Sequence, residues 1–422
     1  MEWNTTLPFA KSLDKSDPLA SFRSYFAIPD RNLIYLDGNS LGRLSNASNI
    51  RVHRLINEWS RDLIRGFNKD WWQAPGRVGE KIAQLVGAGP GQVVVIDSVS
   101  VNLYCLASAA LTYNNLRTKI VTDSLNFPSD LYIIQGLVQM LGNKHSIVRI
   151  GSRDRDITPN IDELLAKIDN DTALVTLSHV TFKSGYLYDM AALTEVAHRH
   201  GALVMWDLSH SVGAVPMELD SCKVDLAVGC TYKYLNGGPG SPAFLYVRKD
   251  LQEQMTSPIW GWWGHKESFA FNLDYEPADG IKRFLTGTQP ILSLLSMEAA
   301  LDPLLNAGMD NLRKKSLLMS EYLIFLADEL LVPLGFSIGS PRDPEKRGSH
   351  VSLRHPEGYR INQALIEEME VIPDFREPDN IRFGLSPLYT TFTELWEAVD
   401  RIRKVMINRI FERFGNHRLS VT

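Results

Sequence analysis

Seven short apolar runs, most of them separated by enough chain for a helix, limit what this polypeptide can fold into. They fall at residues 92–97, 119–123, 146–150, 172–178, 202–207, 225–229 and 243–247. Apolar, β-branched runs of this length without polar alternation read as strands buried on both faces. Helical periodicity over 101–111, 128–141, 161–169 and 189–200 fills most of the gaps. Buried strands alternating with helices predict an α/β fold, a mainly parallel seven-stranded sheet with helices on both faces. In such sheets ligands bind beyond the carboxyl ends of the strands. The residues that follow each run are therefore the ones to read for chemistry.

Outside this rhythm the pattern changes. Residues 1–50 carry Pro8, Pro18, Pro29 and a Gly38-Asn39-Ser40 turn, which predict irregular chain, and a helix is expected over about 51–69. After Pro290 come long helical stretches over 290–332, then strand-like segments near 335–339, 349–354 and 381–385, with helices at 360–369 and 392–413. The expected organisation is an N-terminal segment 1–50 near the small domain and the active site, a large domain 51–290 and a small α+β domain 291–422.

Charge and composition exclude several classes. Lys and Arg number 44 against 49 Asp and Glu, a net charge of −5. Such a chain has no general attraction for phosphate backbones, so no nucleic-acid partner is expected. Three cysteines, Cys105, Cys222 and Cys230, are too few for a disulfide framework and form no C-x-x-C pair. A reducing, cytoplasmic setting is the expectation. The first residues lack the basic and apolar regions of a signal peptide, and no apolar run reaches the roughly 18 residues of a membrane span. No histidine, cysteine and carboxylate set has metal-ligand spacing, and no phosphate-binding G-x-x-x-x-G-K-[ST] loop or G-x-S-x-G elbow is present.

The strand ends hold the candidate chemistry. Lys233 follows the run 225–229 between Tyr232 and Tyr234, ahead of Gly237, Gly238 and Gly240. A lysine placed there is partly desolvated and readier to act as a nucleophile, although a solvated lysine in a glycine turn has the same local sequence. Asp207 ends a very apolar run, with His210 three positions on. A carboxylate so buried needs a partner such as a protonated heterocyclic nitrogen, or else it caps a helix. An acid for a pyridinium nitrogen and a lysine for a Schiff base are the pairing that pyridoxal phosphate chemistry requires. Ser98, Val99 and Ser100 open a helix after a strand, where a phosphate would sit. Phe127 could stack on a flat ring or belong to the core; Asp130 could meet a cofactor or cap a helix; Ser178 and His179 face the same rim. The adjacent tryptophans at 262 and 263 read as an interface or a ligand wall. Arg382 could fork onto a substrate carboxylate or form a structural ion pair.

Taken in order, the motifs YLDGNSLG (35–42), NFPSD, WDLSHSVGAVP, GCTYKYLNGGPGS, GWWGH, GTQP, RGSHVS, HPEGY and RFGLSPLYTTF (382–392) resemble those of the kynureninases, most closely the bacterial ones. These are fold-type-I, class-V-aminotransferase-like enzymes dependent on pyridoxal 5'-phosphate. The resemblance covers nearly the whole chain beyond the first thirty or so residues. It implies hydrolysis of the Cβ–Cγ bond of L-kynurenine to anthranilate and L-alanine, in the kynurenine pathway of tryptophan catabolism, by a homodimer with shared active sites. It also implies that Lys233 holds the cofactor covalently and shuttles the α-proton, and that Asp207 pairs with the ring nitrogen beside His210. Phe127 would stack on the ring. Val99, Ser100 and Tyr232, with Trp262 and Thr288 from a neighbouring subunit, would hold the phosphate. Asp130 and Ser178 would complete the pocket, Tyr232 would exchange a proton with the γ-carbonyl, and Arg382 would hold the substrate carboxylate near Asn39 and Ser40.

One position departs from the pattern. Bacterial members usually carry tryptophan, and animal members histidine, where this chain has Phe67. A smaller ring would loosen the wall around the substrate's aryl group and admit a ring-substituted kynurenine such as 3-hydroxykynurenine; equally, the two aromatic residues could be interchangeable. An aminotransferase or a non-catalytic pyridoxal phosphate protein shares Lys233, Asp207 and an arginine. A cysteine desulfurase would need a mobile catalytic cysteine, which Cys105 in a predicted helix and Cys222 and Cys230 beside a strand do not offer.

Overall fold

In a computed structural model, which describes residues 2–415 and 417, all seven apolar runs form strands of one sheet. They are β1 (Val93–Val95), β2 (Lys119–Asp123), β3 (Ser146–Ile150), β4 (Thr172–Ser178), β5 (Leu203–Asp207), β6 (Leu226–Gly229) and β7 (Phe244–Val247). Their order across the sheet is β1-β7-β6-β5-β4-β2-β3. Only β7 runs against the rest, pairing antiparallel with both β6 and β1. The sheet is mostly parallel, as expected.

A second sheet follows, of β8 (Ser337–Ile338), β9 (His350–Arg354), β10 (Asp374–Arg376) and β11 (Asn380–Gly384), in the antiparallel order β10-β11-β9-β8. Alternation assigns its two faces. Val351, Leu353, Ile381 and Phe383 enter an apolar core shared with helices Met309–Leu330 and Phe392–Ile407. The other face meets the large sheet's loops: Ser352 Oγ donates to the Lys183 carbonyl, Arg382 to the Phe182 carbonyl and Arg354 to the Arg155 carbonyl.

Two expectations need correction, and one further helix goes beyond them. Residues 1–50 are not irregular throughout, because Leu7–Ser16 is a helix that begins with Pro8 in its first turn, where proline is tolerated. Its Asp14 accepts hydrogen bonds from the Phe392 and Thr393 amides at 2.7 and 3.1 Å and so caps the last helix. The helix expected over 51–69 is two helices, Asn46–Asp62 and Arg65–Lys69, broken at Leu63, whose φ is 50°. An unforeseen helix, Ala74–Val86, lies against β1. Its Gly79 permits that contact, since a Cβ there would lie 2.2 Å from the Val93 carbonyl oxygen.

Two apolar cores divide the chain. Leu294, Leu295, Met297, Leu301 and Leu304 place helix Ile291–Ala307 in the core of the large sheet, whereas Met319, Leu323 and Leu326 of the next helix belong to the second core, along with Leu13, Ile34 and Leu36.

Candidate active site

The parallel strands end in line. Asp207, last in β5, is the register partner of Ser178, last in β4, and of Val228 in β6. Beyond these ends lies a cleft with Lys233 and Tyr232 on one side and the openings of helices Val99–Tyr113 and Pro128–Met140 on the other. Lys233 Nζ lies 3.3 Å from His210 Nε2 and 5.9 Å from the centre of the Phe127 ring. The N-terminal segment closes on this lysine: the Gly42 amide donates to the Tyr232 carbonyl at 2.7 Å, and a Cβ on Gly42 would come within 2.3 Å of the Lys233 carbonyl oxygen.

At the cleft floor two buried carboxyls meet. The Ser209 amide and hydroxyl donate to Asp207 Oδ1 at 2.9 and 2.6 Å. Burial pushes the Asp207 carboxyl up, opposed by the charge of Lys233 and the bonds from Ser209. Burial and the neighbouring Asp207 push Asp130 far higher, while Asp130 lowers Asp207 in turn, so a proton shared by the pair favours Asp130. Tyr232 is held protonated, well above the usual phenol range, by the adjacent Cys230 thiol and by burial. Burial and the charges of Lys233 and Arg382 keep His210 neutral.

The opposite end of the cleft suits an anion. Ser98 caps helix Val99–Tyr113, its Oγ accepting from the Val101 amide at 3.4 Å, and Ser100 Oγ lies 3.2 Å from Ser129 Oγ in the first turn of the second helix. Two helix N-termini with hydroxyls between them are a site for phosphate. An acid pair, an amine and this anion cradle match the ring nitrogen, aldehyde and phosphate of pyridoxal phosphate, so the residues fit the group.

Other expected residues stand apart from the cleft lining. Ser178 is buried behind it, its amide donating to Asn126 Oδ1. Arg382 is buried and already engaged: its Nε donates to Asp374 Oδ1 at 2.8 Å, its Nη2 to Ser40 Oγ at 3.1 Å, and Ser40 Oγ donates to Asp374 Oδ2 at 2.7 Å. Arg382 is thus one half of a buried ion pair with Asp374. Asn39 is fully buried, with no partner for either side-chain amide atom. Trp262 is 38% exposed and packs on Trp72, ring centres 5.2 Å apart. Thr288 and Phe67 line a separate apolar cavity of about 430 Å³ with Trp59 and Trp71. None of these three lines the Lys233 cleft of its own chain.

Asp374, Arg376 and Asp37 escaped the sequence reading. The register sets Asp374 opposite Arg382, and Arg376 Nη2 lies 2.8 Å from Asp374 Oδ2. Two short runs around the Glu377-Pro378-Asp379 turn were the available signal for this hairpin. Asp37, pushed up to about 8 by burial and by Asp374, leaves Oδ1 buried without a partner. Among the described residues no histidine, cysteine and carboxylate cluster could hold a metal ion, and no helix is long and apolar enough to cross a membrane.

This sheet, with its lysine, acid pair and anion cradle beyond the strand ends, defines a fold-type-I enzyme whose cofactor is pyridoxal phosphate. Solved structures share the fold: cysteine desulfurase from Thermococcus onnurineus NA1 (TM-score 0.76, 16% identity, 97% of this chain and 99% of that one), and cysteine desulfurase CsdA from Escherichia coli (TM-score 0.78, 18%, 94% and 99%). A C-DES mutant with glycine covalently linked to its PLP cofactor also matches (TM-score 0.76, 20%, 89% and 99%). Residues 312–402 match the kynureninase C-terminal domain. Over 408 residues the chain is 46% identical to the kynureninase of Pseudomonas fluorescens, covering 95% of this chain and 96% of that one. It is 42% identical over 403 residues to that of Burkholderia pseudomallei, covering 94% of each. The chain belongs to the kynureninase family.

Proposed function

We propose that this chain hydrolyses the Cβ–Cγ bond of L-kynurenine, or of a ring-substituted kynurenine such as 3-hydroxykynurenine, to an anthranilate and L-alanine. The observation that carries the reading is 46% identity to a kynureninase over 95% of the chain. When bound, pyridoxal phosphate supplies an electron sink for charge developed on the substrate's carbon chain.

The chain's own residues do the rest. Lys233 would hold the cofactor covalently and, with its amine freed once substrate is bound, would take the proton from the substrate α-carbon and return it. Asp207, backed by Asp130, holds the ring nitrogen beside His210, and Phe127 covers the ring. The Val99 backbone and the Ser100 and Tyr232 hydroxyls hold the phosphate, with Ser178 supporting the pocket from behind. Water adds to the γ-carbonyl carbon while Tyr232, kept protonated by its surroundings, offers a proton to the carbonyl oxygen; the Cβ–Cγ bond then breaks, leaving a carboxyl group on the aryl fragment and an electron pair on Cβ, which takes up a proton. Arg382, near Asn39 and Ser40, draws in the substrate carboxylate.

Trp262 and Thr288 act across a homodimer in this reading, reaching the cleft of a second copy, and Phe67 belongs to the wall around the substrate's aryl ring. Exposed Trp262, Phe269, Phe271 and Leu273 support it, since an apolar surface of that kind favours burial against a partner. Three unpaired cysteines suit a reducing, cytoplasmic setting. In the division we propose, the boundary expected at 290 moves to near Gly308, because helix Ile291–Ala307 packs in the first core; the N-terminal segment gives Leu13, Ile34 and Leu36 to the small domain and Leu19 and Phe26 to the large one.

The test is a product assay with kynurenine as sole substrate. Equal amounts of L-alanine and anthranilate without added keto acid are expected. A requirement for a keto acid, or no turnover by a cofactor-loaded protein, would overturn the reading.

A further inference from the structure

Arg382 has little hydrogen-bonding capacity left to offer. Its Nε, Nη1 and Nη2 already donate to Asp374, to the Phe182 carbonyl and to Ser40. A carboxylate drawn to this guanidinium needs donors from other side chains as well.

The small sheet supplies one that has no part in the proposed reaction. Register sets Ser352 opposite Arg382 and His350 opposite Gly384, so His350 and Arg382 stand diagonally on the face turned toward the large domain. His350 is fully buried, and neither ring nitrogen has a partner. Its ring centre lies 5.6 Å from that of His210, the residue whose Nε2 meets Lys233 Nζ. His350 thus neighbours both Arg382 and the histidine that meets Lys233.

A second orphan converges on the same place. A Cβ on Gly384, the residue opposite His350, would lie 1.8 Å from Asn39 Oδ1. Two buried polar side chains without partners thus flank one small residue beside Arg382. Buried polar groups of a native protein are nearly always paired, so two unpaired side chains beside Arg382, one of them next to His210, point to a ligand's polar atoms.

We infer that His350 is a substrate-binding residue which, together with Asn39, hydrogen-bonds the α-carboxylate that Arg382 attracts. The inference rests on the reading of Arg382 given above. The ring's charge state suits the role. Burial and the positive charges of Arg382, Lys233 and Arg376, opposed by Asp374, pull it down to about 3, and neutral His210 packs beside it. A neutral imidazole has one N–H to donate to a carboxylate oxygen.

Titration of the holoenzyme with L-alanine, followed by the cofactor's visible absorption, measures binding at this end of the site without turnover. His350→Leu should raise the alanine dissociation constant about tenfold or more, while His350→Gln, which keeps a donor, should stay within about threefold of wild type. Alaninamide, which lacks the carboxylate, should bind all three proteins alike, and their unliganded spectra and melting temperatures should coincide. Unchanged alanine affinity in His350→Leu, or an equal loss with alaninamide, overturns the inference. Arg382→Gln separates the two readings. If it weakens alanine binding while His350→Leu does not, only the role of His350 fails; if neither variant weakens it, the carboxylate site at Arg382 fails as well.

Discussion

Lys233 Nζ lies 3.3 Å from His210 Nε2, and the histidine is held neutral by burial and by the lysine's own charge. A neutral ring nitrogen can accept a hydrogen bond from the lysine, which aims the amine into the cleft. His210→Leu removes that acceptor without adding charge. Misplacing a reacting group by about 1 Å costs on the order of a hundredfold, so kcat should fall about ten- to a hundredfold. KM for kynurenine should move much less. Steady-state kinetics check this, and partial recovery in His210→Gln would mark the hydrogen bond rather than packing as the cause.

Asp374 holds Arg382 through two carboxylate oxygens and is itself kept far below the usual carboxylate range by that arginine. Asp374→Asn leaves a buried guanidinium short of its counter-charge, a loss of about 3–5 kcal/mol. The urea midpoint should drop accordingly, and KM for kynurenine should rise because Arg382 is no longer fixed.

His179 is buried against Trp206, and burial lowers it to about 4. With an unfolded value near 6.5, the unfolded chain binds the extra proton first as pH falls, so this group's stability contribution is full above about 6.5 and is lost on the way down to about 4. At pH 5 the loss should be on the order of 2 kcal/mol. Urea denaturation at pH 7.5 and 5.0 should show His179→Leu losing less stability than wild type across that interval, by about that amount.

Phe67 stands 5.3 Å from Trp71, ring centre to ring centre, on the wall of the apolar cavity that also holds Thr288. Phe67→Trp should shrink that space. The ratio of kcat/KM for 3-hydroxykynurenine over kynurenine should then fall about tenfold, within the range one pocket group can command. A strong preference for unsubstituted kynurenine in both proteins would leave Phe67 without a role in specificity.

Mixing two inactive variants tests the shared site. Lys233→Ala lacks the amine, and a Trp262→Ala, Thr288→Ala double variant lacks the groups assigned to the second copy. Mixed dimers should regain activity, because one of their two clefts combines an intact lysine with an intact partner wall. No recovery on subunit exchange would place both sets in the same chain's cleft.

Local pattern was enough for the large sheet. Apart from the edge strand Ser146–Ile150, its strands are buried on both faces, and burial of that kind leaves a continuous run in the sequence whatever the rest of the chain does. Helix Ala74–Val86 was hidden because Pro75, Gly76 and Gly79 read as breakers. Proline is allowed in a first turn, and Gly79 is needed for contact with Val93, a neighbour that lies across the fold.

By itself, then, the sequence determined the fold class and the acid, lysine and helix openings of the cleft, since each follows a strand end and strand ends are locally encoded. Tertiary structure alone decided the rest. It brought Asp374 opposite Arg382, set His350 and Asn39 around Gly384, and separated Trp262, Thr288 and Phe67 from the cleft of their own chain. Those relations depend on strand register and on how one sheet faces another, and no local pattern of residues carries either.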